Sequence, residues 1–467
     1  MTTLYRYLVL LLLCAGVSCT KWLDVQPEDK FTENQIYATS AGIAEVLNGL
    51  YIKMGTNALY GQNLTLDKLD LFAQRYYAIA TELRYYQYAQ LNYADETVKA
   101  SIQTIWDNMY QLVGNANLFL TEIDAHKGVL SAATEQQYKG EALAIRSLVY
   151  FDLLRMFGPI YASDSTHKSI PYYTKVSAAI GEFLPANEVA GYILNDLQTA
   201  ETYLQNDRIV TESGTVNNNS YRLNLYAVKA LKARVLLWRG SAADKAMALS
   251  TAKEVIAKAD KFPWITHGNI TGTSGDADRI FSTELLFGAF NNNLYTVYDA
   301  TFSPAIPELR ILSTGPQNFV SKVYEDNGGD YRFEYSWPFG GAFRTFTKYS
   351  DMVTKTLTRR FTVPVIRLSE MYYIAAETET NTTQALEYLN TVRRKRNLSV
   401  DILNAGLLEQ ELTKEYLKEF YGEGQLFYYY KRKRITTVSS PNTSSGTIGV
   451  ALAKYVLPIP ESETQSR

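Results

Sequence analysis

Residues 95 to 159 read as one helical hairpin, and no other stretch limits the fold as strongly. Its first arm places Val98, Ile102, Ile105, Met109, Leu112, Ala116 and Leu120 at alternating steps of three and four, which draws one apolar stripe along a helix. His126-Lys127-Gly128 closes that arm, with basic groups near the carboxyl end of the helix dipole and a glycine free to turn left-handed. The second arm opens with Thr134 and Gln137 as a capping box and carries Ala142, Ile145, Val149, Leu153 and Met156. Gly158-Pro159 stops it. Two amphipathic helices joined by a short loop must bury their stripes against each other and a neighbour.

The theme recurs. A helix is expected over residues 187–204 through Val189, Ile193 and Leu197. Asn224 caps another, with Val228, Leu231, Val235 and Trp238 as its stripe and Gly240 as its stop. Ala242, Ala246, Leu249, Ala252 and Ile256 form its partner, where small alanines permit close approach. This pair resembles a tetratricopeptide-like unit without that repeat's full consensus. From Lys261 to about Pro364 the helical period disappears, and Gly, Asn, Ser, Pro and aromatic residues dominate. Leu285-Leu286-Phe287 and residues 344–349 are expected as short strands. Irregular chain of this length inside a globular protein is often functional. Helices return at Pro364, read as a first helical position. The fold class is therefore mainly α: a tetratricopeptide-like scaffold of helical hairpins with a loop-rich subdomain carrying a few short strands. The expected division is 19–260, 261–363 and 364–467, behind a leader at 1–18.

That leader has Arg6 as its positive start, an apolar run from Leu8 to Leu13, and small residues at Ala15-Gly16-Val17-Ser18. The run is too short to span a bilayer. Cys19 follows directly, which resembles a bacterial lipoprotein signal whose cysteine is acylated after cleavage. Gly16 departs from the leucine usual in that pattern, and a plain secretory signal ending near Ser18 is the alternative. Cys14 leaves with the leader, so Cys19 would be the only remaining thiol, as suits an exported protein without disulfides. Two or more acyl chains anchor a protein stably.

Composition narrows the function. A net charge of −2 offers no excess of cations to displace counterions, which argues against nucleic acid. The aromatic content is 13%, with 36 tyrosines, and Tyr60, Tyr76, Tyr77, Tyr85, Tyr86, Tyr88 and Tyr93 crowd residues 55–97 among Asp67, Asp70, Arg75, Glu82 and Arg84. Rings stack on the C–H faces of sugars while such polar groups meet hydroxyls; a tyrosine-rich core between helices explains the same residues without a ligand. The basic run from Arg393 to Arg396 is expected as solvated cations near a helix end.

Several blocks resemble the SusD/RagB family of surface lipoproteins. They are "LDVQP…FT…IYAT…GLY" after the cysteine, Lys139-Gly140-Glu141-Ala142 with Arg146, Tyr150-Phe151-Asp152-Leu153 and Phe157-Gly158-Pro159, "LNTVRRKRN", Gly422-Glu423-Gly424 with Phe427, and the ending "YVLPIPESE". Leu426 and Tyr429 stand where the late block often carries Arg and Asp, which puts its local salt bridging in doubt. The resemblance implies a lipoprotein held to the outer membrane through Cys19 and facing the exterior. It would capture a glycan, or a peptide in the RagB branch, for a SusC-like TonB-dependent transporter. It places ligand loops in the irregular region and the tyrosine-rich segment, by position rather than by motif. The nominees are Trp337, Tyr85, Tyr86 and Tyr93 for stacking, and Arg75, Asp330 and Asn293 for polar contacts.

Catalysis finds little support. There is no HExxH, GxSxG, P-loop or GxGxxG motif, and the three histidines, His126, His167 and His267, have no metal-type spacing. Carboxylate pairs such as Asp326 and Asp330 are expected by chance among 48 acidic residues. No cofactor or metal is expected. A helical scaffold that binds only protein is the other non-enzymatic reading, and it would not need aromatic loops.

Overall fold

The computed structural model describes residues 33–465 apart from 178, 216–218, 273–275, 316–317 and 340–342. The expected leader and the lipidated Cys19 lie outside the described residues.

Helix α1 (Ser40–Met54) is capped by Thr39, whose side chain accepts from the Gly42 N–H, and it buries Ile43, Leu47, Leu50 and Met54. The predicted hairpin forms α2 (Glu96–Ala125) and α3 (Ala132–Phe157). Gly128 takes the left-handed φ of 90° expected of it. The capping box is displaced: Ser131, extended at φ −64° and ψ 151°, is the N-cap and accepts from the Thr134 N–H at 3.2 Å. Thr134 is thus the third helical residue, and Gln137 instead donates to Glu141 at 3.3 Å. From Gly140 onward α3 is buried on every side.

Helices α4 (Ala186–Tyr203), α5 (Leu225–Arg239) and α6 (Ala242–Ile256) follow. Asn224 caps α5 through the Tyr226 and Ala227 N–H groups, and Gly240 ends it at φ 73°. Helices α7 (Leu368–Thr378) and α8 (Thr382–Lys395) complete the array, in which each helix from α2 to α8 packs on the next in chain order. Helices α9 (Leu408–Glu419) and α10 (Gln425–Lys433) close the helical part.

The strands are short antiparallel pairs: β1 (Lys168–Ile170) with β2 (Leu184–Pro185), β3 (Leu285–Phe290) with β4 (Thr362–Arg367), and β5 (Thr437–Ser439) with β6 (Thr447–Gly449). Pro364 therefore lies in a strand opposite Gly288, and the helix begins only at Leu368. The β-branched residues of Thr362-Val363 and Val365-Ile366 favour extended chain, the residue before a proline does too, and a two-stranded ribbon tolerates a missing donor. Residues 344–349 are not a strand; a single bridge joins Phe339 and Arg344. The loop-rich segment also carries short helices, at His267–Thr271, Leu294–Thr301, Asn318–Val323 and Tyr331–Glu334.

One continuous apolar core draws on Leu47 and Met109, on Phe287 and Leu312 of the loop-rich segment, and on Val365 and Phe427. A buried ionic network fastens the same parts together. Arg396, with no exposed surface, meets Glu284 at 2.8 and 2.6 Å and Glu419 at 3.0 and 2.6 Å. Arg332 reaches Asp330 at 2.9 and 2.6 Å, Glu415 at 2.8 Å and Glu419 at 2.9 Å. Arg367 pairs with Glu419 and Glu423, and Arg393 with Glu415 at 3.0 Å. The expectation that residues 393–396 are all solvated is corrected: Arg394 and Lys395 are exposed, whereas Arg393 and Arg396 turn inward toward carboxylates supplied by other segments. Burial pushes the Glu415 carboxyl up, but Arg332, Lys418 and Arg393 outweigh it and hold the group at about 2.

Candidate functional site: a loop face over an aromatic core

Five rings bring the distant loops together. Tyr76 meets Phe302 at a centroid distance of 5.8 Å and Tyr421 at 6.1 Å, Phe302 meets Phe346 at 5.3 Å, and Trp337 meets Phe346 at 4.7 Å and Tyr421 at 4.8 Å. Tyrosine-rich segment, loop-rich segment and carboxy-terminal region thus share one cluster. Edge and tilted contacts of this kind fix ring orientations, so the loops above rest on a stiff base.

Hydrogen bonds then tie the loops side by side. The Tyr77 N–H donates to the Ser313 carbonyl at 2.8 Å and the Arg84 N–H to the Leu309 carbonyl at 3.1 Å. Asn442, in the turn between β5 and β6, accepts from the Ala78 N–H at 2.7 Å and donates to the Tyr76 carbonyl at 3.1 Å. Gly315, at φ 65°, lies flat against the Tyr77 ring, where a Cβ would come within 2.5 Å. The outer surface of these segments exposes Ile79, Leu309, Arg84 and Arg310 beside half-buried Tyr77 and Tyr86.

Phe339 turns its ring outward and is 63% exposed. The Arg344 guanidinium sits between it and Phe333, 3.9 and 4.5 Å from the two centroids, and donates to the Trp337 carbonyl at 2.6 Å. An outward ring backed by a held cation suits stacking on a flat ligand face.

The nominated residues divide. Trp337 has no exposed surface and therefore no face to offer; its position in the aromatic cluster makes it a support. Tyr85, at 2%, is likewise inside. Arg75 is buried with its guanidinium over the Tyr421 ring and a hydrogen bond to the Leu417 carbonyl. Asp330 belongs to the ionic network through Arg332. Tyr86 does reach the loop face. Asn293 is exposed, but it starts the helix Leu294–Thr301 beside Asn291, whose side chain accepts from its N–H at 2.9 Å. Tyr93 faces a cleft of about 730 Å³ lined by the end of α3 and the carboxy-terminal chain, and its hydroxyl donates to the Lys454 carbonyl at 2.6 Å. The nominations passed over Tyr77, Ile79, Leu309 and Phe339. Of these Phe339 carries a local signal, since its sequence neighbours Pro338 and Gly340-Gly341 are residue types that favour turns.

Among the described residues no group of three or more His, Cys, Asp or Glu side chains is arranged to hold a metal ion, and no helix is long and apolar enough to cross a membrane.

Comparisons with known proteins agree with this architecture. Residues 21–237 match the model of a SusD-like family described as starch-binding and associating with the outer membrane, and residues 314–467 match that of the SusD family. SusD-like protein P38 of Formosa agariphila is 22% identical over 88% of this chain and 86% of its own. A SusD superfamily structure from Bacteroides thetaiotaomicron superposes with a TM-score of 0.72 at 22% identity, covering 92% of this chain and 98% of that one. A surface glycan-binding protein A from the same organism gives 0.66 at 17% identity, covering 92% and 97%. Likeness at these identities speaks for the fold. With the two family models spanning both the amino-terminal helices and the carboxy-terminal region, the chain belongs to the SusD/RagB family.

Proposed function

We propose that the protein captures a glycan on the loop face at the cell surface and delivers it to a SusC-like TonB-dependent outer-membrane transporter. Family membership, together with an outward aromatic ring in the loop-rich segment backed by the Arg344 guanidinium, carries this reading. Acylation of Cys19 after removal of the leader would tether the chain to the outer membrane, facing the exterior. Binding is reversible and breaks no bond. Phe339, Tyr77 and Tyr86 align the sugar rings, and Arg84 and Arg310 meet hydroxyls at the rim. An open, wet face of this kind gives modest affinity per site.

The test is binding of the mature chain, residues 20–467, to an array of polysaccharides and oligopeptides. Binding to a glycan class supports capture of glycans. Binding to peptides alone moves the protein to the peptide-capturing branch of the family. Product formed from any glycan would overturn the assignment as a binding protein.

A further inference from the structure

A second cleft, of about 380 Å³, opens between the chain after α6, the segment leading into β3 and the segment leading into β4. Its volume lies in the range of small-ligand pockets, roughly 300–1,000 Å³. Two cations, Lys261 and Arg359, line it with the hydroxyls of Thr215, Ser220, Tyr221 and Thr283, and no carboxylate among the described residues does.

Two of these groups are underused. Arg359 Nε and Thr283 Oγ1 are buried and have no hydrogen-bond partner among the described residues. Orphaned polar atoms of this kind are costly unless a partner fills the space beside them. The neighbouring carboxylates are already engaged. Glu212 accepts from Arg208 at 2.6 Å, Asp276 from the Thr354 N–H at 3.0 Å, and Asp278 from the Ser282 N–H at 3.1 Å. Arg359 is held from behind by the Asp276 carbonyl at 2.9 Å, and Lys261 by that of Glu212. Both cations are thereby positioned; Arg359 feels the charges of Asp276 and Asp278 and Lys261 that of Glu212, but these carboxylates do not line the cleft and leave Arg359 Nε free to face it. The Tyr221 hydroxyl lies 2.6 Å from Thr362 Oγ1, which fixes the far wall.

The geometry points to a binding site for an acidic sugar, a uronic acid unit whose carboxylate meets Arg359 and Lys261 and whose ring hydroxyls meet Thr283, Ser220 and Tyr221. It is separate from the loop face, shares no residue with it, and stands whether or not that face binds a glycan.

The test is calorimetric titration of the mature chain with D-glucuronate, with D-glucose, acetate and inorganic phosphate as comparators. Glucuronate should bind more tightly than all three and weaken with salt. Arg359→Gln and Thr283→Val should each cut its affinity by about tenfold, the loss expected for one hydrogen bond to a charged group or a buried hydroxyl. Thr283→Val removes an unpartnered hydroxyl and keeps the side-chain shape, so its thermal midpoint should not fall. Phe339→Ala should leave glucuronate binding unchanged. No glucuronate binding, equal binding of glucose or phosphate, or unaltered affinity in both cleft variants would overturn the assignment.

Discussion

Arg75 and Tyr421 hold each other twice. The guanidinium carbon of Arg75 lies 3.3 Å from the centroid of the Tyr421 ring, and the Tyr421 hydroxyl donates to the Arg75 carbonyl at 3.0 Å. The clasp joins the tyrosine-rich segment to the chain after α9, beneath the loop face. Tyr421→Phe, which loses only the hydroxyl, should cost about 1 kcal/mol. Tyr421→Leu also removes the contacts with Trp337, Phe346 and the guanidinium and should cost about 3–4 kcal/mol. Urea denaturation of the two variants checks the ordering; equal losses would mean that the ring contributes nothing beyond its hydroxyl.

Arg396 ties α8 to the loop-rich segment through Glu284 and to α9 through Glu419. Arg396→Leu leaves two buried carboxylates short of a partner and should cost about 3–5 kcal/mol. Adding Glu284→Leu removes one uncompensated charge, so the double variant should be less destabilised than the two single losses summed. Strict additivity in denaturant titrations would show that the pair is not coupled.

Burial is the main cause that raises the Asp70 carboxyl to about 7, against the pull of Arg75 and the Gly422 N–H, which meets it at 2.7 Å. A raised folded pKa means the native state holds this proton more tightly than the unfolded chain. The resulting stability is fully present below about pH 4 and is lost as pH rises through about 7. The full span is worth about 4 kcal/mol at 1.36 kcal/mol per unit. Asp70→Asn keeps an acceptor for Gly422 and removes the titration. Its stability relative to the parent should therefore improve between pH 4 and 8, read from denaturation midpoints. A parallel pH course for the two proteins would rule out Asp70 as the titrating group.

Lys431 is buried at the carboxyl end of α3 and donates to the carbonyls of Arg155, Met156 and Gly158 at 2.8, 3.3 and 2.6 Å. Burial, with the Arg155 charge adding to it, depresses its pKa well below the ordinary lysine value. Lys431→Met matches its length but leaves those carbonyls without their donor, and should cost about 3 kcal/mol. An unchanged thermal midpoint would show that other groups satisfy the helix end.

The helical hairpins are legible in the sequence because stripes and caps are local. Asn224 and Gly240 are a start and a stop at the ends of one stripe. The cap at Ser131 is harder to read, since Thr134 offers the same chemistry three residues on. Burial of single rings and cations is not local at all. Trp337 and Arg75 are inside because Tyr421 comes to meet them, and Arg396 turns inward because Glu284 and Glu419 wait there. An aromatic-rich loop therefore announces a cluster of rings without saying which ring faces water. Phe339 is the exception, its exposure written in the proline and glycines around it.

Phe339 and Trp337 therefore answer different questions when replaced. Phe339→Ala removes an exposed ring that backs the Arg344 guanidinium, beside which Phe333 remains at 4.5 Å. Its denaturation midpoint should match the parent's, while affinity for the captured glycan should fall by about tenfold, the order of one ring-stacking contact. Trp337→Ala opens a cavity in the aromatic cluster and should cost about 3–5 kcal/mol of stability. Any loss of binding in that variant should recover under conditions that keep it folded, such as low temperature, because its ring does not reach the surface. Glycan affinity unchanged in Phe339→Ala would move the contact surface to Tyr77, Tyr86 and Leu309. Affinity lost in a fully folded Trp337→Ala would require the loops to open and expose that ring on binding.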